Sequence, residues 1–143
     1  MSYVDLNIHA VWRTKRSEQV LLTDARKKIL DHIRENAAGK KIYIDTINAE
    51  PDHVHCLFKL NASMSLSKAL NLIKGESSNW ANKTGLFSCR FEWAVDYYAA
   101  SVSHSILDSV RAYIINQEAH HKKVSFEEEY KELMNTIMSK RQA

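Results

Sequence analysis

Two histidines stand one residue apart in "EPDHVHCLFKL", inside a run that otherwise reads as an apolar strand. Side chains alternate across a strand, so His53 and His55 share one face while Val54 and Cys56 share the other. Residues at this spacing lie about 6 to 7 Å apart at Cα. Two imidazoles so placed can converge on a single cation, or they can form a polar stripe. Cys56 points the opposite way, so it belongs to the core rather than to a zinc site. A second group of chemistry-bearing residues sits in "VRAYIINQEAHH". Tyr113 and Gln117 are one helical turn apart, and His121 continues their stripe. Val110 and Ile114 form the apolar stripe beside it that would dock such a helix. A tyrosine next to an amide, on a helix able to cap a two-histidine sheet, is a stronger functional candidate than either motif alone.

The elements that must position these residues can be read from periodicity. "VDLNIHAVW" alternates over 4–12, with Val4, Leu6, Ile8 and Ala10 on one face and Asp5, Asn7 and His9 on the other. A helix runs from a Thr23/Asp24 cap to Gly39. "IYIDTINAE" (42–50) and "HVHCLFKL" (53–60) pair antiparallel across a short connection. A second helix begins at Ser65 or Ser67 and carries Leu66, Leu70 and Ile73 on one side. "FEWAVDYYAASVS" (91–103) supplies one or two strands, and "SILDSVRAYIINQEAHHKK" a third helix capped by Ser103 or Ser105. A further helix starts at Ser125. The order β-α-β-β-α-β predicts an α+β, ferredoxin-like antiparallel sheet over about 4–103, with C-terminal helices over about 104–140 carrying Tyr113. The expected organisation is one domain over 1–143. The third helix is left to cover the free face of the sheet, or a partner's.

Composition narrows the function classes. The chain has 143 residues, 45% hydrophobic and 26% charged, with three Gly and one Pro, which excludes a disordered or low-complexity protein. No apolar run approaches the ~18 residues of a membrane span. The first residues, "MSYVDLNIHAVWRTKR", lack an apolar signal core, and Cys56 and Cys89 make no disulfide framework. The expected location is the cytoplasm, with no membrane partner. Residues 11–41 hold nine Lys/Arg against four acids, whereas "SFEEEYKEL" is acidic. A basic stretch of this kind is a solvated face or a polyanion site.

"EPDHVHCLFKL", a first strand ending "VWRTKR", and "VRAYIINQEAHHKKVSFEEEY" together resemble the single-tyrosine transposases of bacterial insertion sequences. These belong to the His-hydrophobic-His endonuclease superfamily, which also includes the REP-associated tyrosine transposases. The resemblance runs from about residue 3 to residue 133. It implies that His53 and His55 are metal ligands, that Tyr113 is the nucleophile, and that Gln117 is a further ligand. Many relatives continue beyond the position of Ala143, so any role of such an extension is open.

Three neutral ligands would leave a divalent cation its full charge for polarising a scissile phosphate. Such a set suits Mg²⁺ or Mn²⁺. Tyr113 would attack as a phenolate, its pKa lowered by the metal or a nearby cation, and form a 5′-phosphotyrosine that a 3′-hydroxyl can later resolve. Tyr97 and Tyr98 read as sheet packing beside Trp93, and Tyr130 follows an acidic run, so Tyr113 is the choice. The implied partner is single-stranded or hairpin DNA, with a homodimer in which the tyrosine helix acts in cis or in trans. Trp12, Arg13, Lys15 and Arg16 combine an aromatic with cations, as single strands require. Lys68, Lys74 and Lys83, with Asn79, Trp80 and His121, extend the candidate DNA surface. Two other readings stay open: a non-catalytic or domesticated regulator that binds hairpin DNA, and a metal-dependent phosphoesterase that uses water in place of Tyr113.

Overall fold

A computed structural model of the chain describes residues 3–117, 128–129 and 131–132. Strand β1 (Asn7–Thr14) is followed by α1 (Thr23–Gly39), β2 (Tyr43–Glu50), β3 (His53–Lys59), α2 (Leu66–Thr84), β4 (Trp93–Ser101) and α3 (Leu107–Ile115). The sheet is antiparallel with strand order β2-β3-β1-β4. This is the expected α+β arrangement, with the histidine strand in the interior and hydrogen-bonded on both sides.

The two faces of the sheet are covered unequally. Ala10, Trp12, Val54, Cys56 and Phe58 meet Ile29 and Ile33 of α1 and Leu70 and Ile73 of α2 in one large buried cluster. The opposite face carries a smaller one, Leu57, Val102, Leu107 and Ile114, beneath α3. The third helix thus covers the face the ferredoxin-like pattern leaves open.

Local differences from the sequence expectation have physical reasons. β1 lies two to three residues later than the alternation suggested, because β3 ends at Lys59 opposite Asn7, and beyond that pair the contact is a single bond from the Leu60 amide to the Leu6 carbonyl at 2.8 Å rather than a ladder. Val4 and Leu6 are exposed as a result. At the other end, β1 reaches Thr14, whose amide donates to the Asp52 carbonyl at 2.9 Å. Ser65 caps α2 as expected, accepting from the Lys68 amide at 3.1 Å, and Gly85 ends that helix with φ 65°. α1 departs from expectation: the residue before it is Leu22, with no side-chain cap, and Thr23 and Asp24 fall in its first turn. A 3₁₀ turn, His104–Ile106, precedes α3, and the Ser103 and Ser105 hydroxyls bond one another at 3.0 Å rather than capping it. β4 is a single strand. β2 carries a bulge between Ile44 and Thr46, which leaves Asp45 as the extra residue. His121 and the start expected at Ser125 lie outside the described residues. Glu128, Glu129, Lys131 and Glu132 are helical.

Candidate active site

The register decides which side chains share the face under α3. Cross-strand partners point the same way, and the pairs Arg13↔His53, Val11↔His55, His9↔Leu57 and Asn48↔His55 bring three strands to one patch. β3 alternates as the sequence indicated: Val54 and Cys56 are buried in the large core, and burial pushes the Cys56 thiol pKa well up. His53 and His55 face the other way and are fully buried beneath the C-terminal elements. Their ring centroids are 5.2 Å apart and their planes are 70° to one another.

α3 is fastened over this patch by polar as well as apolar contacts. Arg111 bonds both carboxylate oxygens of Asp45, through Nε at 2.9 Å and Nη2 at 2.7 Å. Asn48 Nδ2 donates to the Ile114 and Ile115 carbonyls at 2.9 and 3.3 Å, at the C-terminal end of the helix. Ile114 enters the small core. Tyr113 is thereby carried edge-on to His55 and His9, at ring-centroid distances of 5.5 and 6.0 Å. Gln117 is buried one turn on, and its Nε2 donates to the Tyr113 carbonyl at 3.0 Å.

Three residues join this group that the sequence reading did not select. Glu129 is buried, with Oε1 2.9 Å from His55 Nε2 and 3.6 Å from His53 Nε2, while its Oε2 accepts the Tyr113 hydroxyl. His9, from the middle of β1, places Nε2 3.0 Å from His55 Nδ1. Asp52 completes the arrangement, its Oδ1 taking a 2.7 Å hydrogen bond from His53 Nδ1. Nothing local in the sequence signals Glu129, which sits in an acidic run typical of solvated helix faces. His9 had a signal in the alternation of β1, but only the β1–β3 pairing gives it meaning.

The charges follow from burial and contact. Burial alone would raise the Glu129 pKa, but hydrogen bonds from His53 and His55 outweigh it and hold the carboxyl far below its usual range. Burial opposes charge on His53 as well, yet the Asp52 and Glu129 bonds prevail and hold its pKa above the ordinary value. Burial, reinforced by His55, depresses His9 to about 3, so it is neutral. Tyr113 moves up, through burial and then through Glu129, opposite to the lowering expected for a nucleophile. The donors on His53, His55 and Glu129 lie within 4.8 Å of one another, all buried, and this N, N, O set fits a divalent cation. Seated there, a cation would oppose the carboxylate's effect on the phenol.

A family model described as "Transposase IS200 like" matches residues 2–117. The chain belongs to this family. The ISDra2 transposase TnpA of Deinococcus radiodurans is 29% identical over 73 residues, 51% of this chain and 52% of that protein, so the match spans about half the length of the relative. The crystal structure of a transposase candidate from Deinococcus radiodurans R1 has a TM-score of 0.66 at 24% identity, covering 82% of this chain and 95% of that one. A REP-associated tyrosine transposase bound to a REP hairpin has a TM-score of 0.63 at 17% identity, covering 87% and 73%. These two structures share the fold of this IS200-like transposase.

The candidate DNA residues separate into two groups. Trp12 is 1% exposed and packs edge-on against Trp93 at 6.0 Å, because it shares its face with Ala10. This corrects the stacking role considered for it. Lys74 is also corrected: it is buried, and its ammonium donates to the Ala94 and Val95 carbonyls at 2.8 and 3.3 Å. Trp80 lies flat on His32, with centroids 4.0 Å apart. Arg13 pairs with Asp96 at 3.2 Å, Lys15 with Glu92 at 2.7 Å, and Arg16 and Lys83 are exposed. Lys15, Arg16 and Arg90 line a cleft of about 350 Å³ with Phe87 and Phe91. Among the described residues no helix is long and apolar enough to cross a membrane.

Proposed function

We propose that this IS200-like transposase cuts and rejoins single-stranded DNA through Tyr113. The observation that carries the reading is the Tyr113 hydroxyl meeting, through Glu129, the Nε2 atoms of both buried histidines. Tyr113 Oη attacks a scissile phosphorus, the new O–P bond forms as the P–O3′ bond breaks, and the departing strand keeps a 3′-hydroxyl. The protein then holds the 5′ end as a phosphotyrosine ester. Attack by a 3′-hydroxyl reverses the exchange and joins DNA without an external energy source.

His53, His55 and Glu129 would hold a divalent cation, Mg²⁺ or Mn²⁺, with Gln117 as a further or replacement donor. Such a cation supplies Lewis acidity to the phosphate and positive charge beside the phenol. Glu129 orients the Tyr113 hydroxyl, Arg111 and Asn48 fix the helix that carries it, and burial excludes water that would hydrolyse the ester. Arg13 faces the site from β1, and Lys15, Arg16 and Arg90 around the cleft beyond Thr14 offer cations for the backbone of a single strand or a hairpin flank. α3 serves its own chain in this reading, and a homodimer would hold two such sites. The cytoplasm, where DNA resides, is the expected compartment.

A 3′-labelled single-stranded substrate incubated with Mn²⁺ tests the proposal on a denaturing gel. A labelled protein adduct is expected from the unaltered chain and none from Tyr113→Phe. An adduct that persists in Tyr113→Phe overturns the nucleophile. Cleavage that survives this change and is lost in His55→Ala favours hydrolysis by water instead.

A further inference from the structure

We propose that His9 is the positioning residue for His55, accepting the proton of His55 Nδ1 on its own Nε2 and thereby leaving His55 Nε2 to bind the metal. The inference rests on the metal-binding reading above. A neutral imidazole carries one proton, so a ligating nitrogen is bare only when the other nitrogen holds the proton, and that N–H needs an acceptor. Both ligand histidines point Nε2 at Glu129 Oε1. The two Nδ1 atoms therefore need acceptors on the sheet side. Asp52 Oδ1 serves His53 at 2.7 Å, and His9 Nε2 faces His55 Nδ1 at 3.0 Å.

The fold holds His9 for this task. It lies diagonal to His55 across the β1–β3 ladder, two pairs along from Val11↔His55 and therefore on the same face. The two rings are within 22° of coplanar with centroids 5.3 Å apart, a geometry that aligns an in-plane N–H with a ring nitrogen. Tyr98 and Tyr113 meet the His9 ring edge-on at 5.9 and 6.0 Å and fix its rotation. The two acceptors also differ in charge. Asp52 offers His53 a carboxylate oxygen, whereas His9 offers His55 a ring nitrogen, which orients it without a second carboxylate beside Tyr113.

Two measurements on the intact protein test the assignment. Nitrogen-15 NMR of the Mg²⁺-loaded protein, in which the ion replaces the proton on His55 Nε2, should find His55 Nδ1 protonated and His9 Nε2 bare; the reverse placement of that proton overturns the proposal. Calorimetric Mn²⁺ binding should weaken by about 10–100-fold in His9→Leu, the range for losing such an outer partner. His9→Gln, whose amide oxygen can accept, should recover most of it. If His9→Leu lowers thermal stability while Mn²⁺ affinity stays at the wild-type value, His9 is only a packing residue and the proposal fails. An unaltered chain that binds neither Mn²⁺ nor Mg²⁺ overturns the metal reading of the site, whereas one that binds them with the His55–His9 proton reversed overturns only the role of His9.

Discussion

Arg111 on α3 grips Asp45 on β2 through two parallel hydrogen bonds, and the residue that receives them is the extra one in a strand bulge. A regular strand would send this side chain elsewhere; the bulge turns it toward the helix. The Arg111 bond holds the Asp45 carboxyl below its ordinary value of 3.8. A depressed folded-state pKa means stabilisation that is complete above the unfolded value and lost as pH falls through the lower one. Urea unfolding should therefore find Asp45→Asn less stable than the unaltered protein at pH 7. The gap should close as the pH drops below about 4. A gap that persists unchanged in acid would show that the carboxylate charge contributes nothing.

Asn48 fastens the other end of α3. Asn48→Ala should cost about 1 kcal/mol in unfolding free energy, the usual net value of such a hydrogen bond. If the asparagine also aims Tyr113, adduct formation at saturating DNA should slow while DNA affinity stays level. Equal losses in both would mean the helix has come away from the sheet altogether.

The identity of the third ligand can be read from metal binding alone. Glu129→Gln should weaken Mn²⁺ affinity by more than about tenfold, the lower bound for losing even an outer partner. Gln117→Ala should do so by less. The opposite ranking would assign the third position to Gln117.

Trp12→Ala should destabilise the protein by about 3–5 kcal/mol, as removal of a large buried aromatic does. Trp12→Phe should leave single-strand affinity at the wild-type level. A specific loss of DNA binding in a well-folded Trp12→Phe protein would return the ring to the DNA surface.

Mixing Tyr113→Phe with His55→Ala chains distinguishes a shared site from one held within each chain. With Tyr113 acting on its own chain's histidines, the mixture stays as inactive as either variant. Recovery of the covalent adduct on mixing would establish exchange between protomers.

Much of this arrangement was legible in short-range periodicity. The period of two put His53 and His55 on one face, and the one-turn spacing put Tyr113 beside Gln117 on a dockable helix. Trp12 was legible too, since its alternation with Ile8 and Ala10 places it in the large core, although its basic neighbours suggested otherwise. The side chain of Lys74 was not, because an amphipathic helix position gives no sign that two β4 carbonyls wait within reach of the ammonium. His9 could be placed on the correct face of β1, but its partner is 46 residues away and only strand order joins them. Glu129 required knowledge of where the chain returns after α3, a long-range property that no local pattern encodes.

The interior position of β3 ties assembly of the site to correct strand pairing. A slip of one residue in its register would turn both imidazoles into the apolar layer beneath α1 and α2 and present Val54 and Cys56 to Tyr113. No partly misaligned sheet could keep the cluster. Ion binding at His53, His55 and Glu129 would then act as a proofreader of folding, drawing the population toward the one pairing that creates its own ligands.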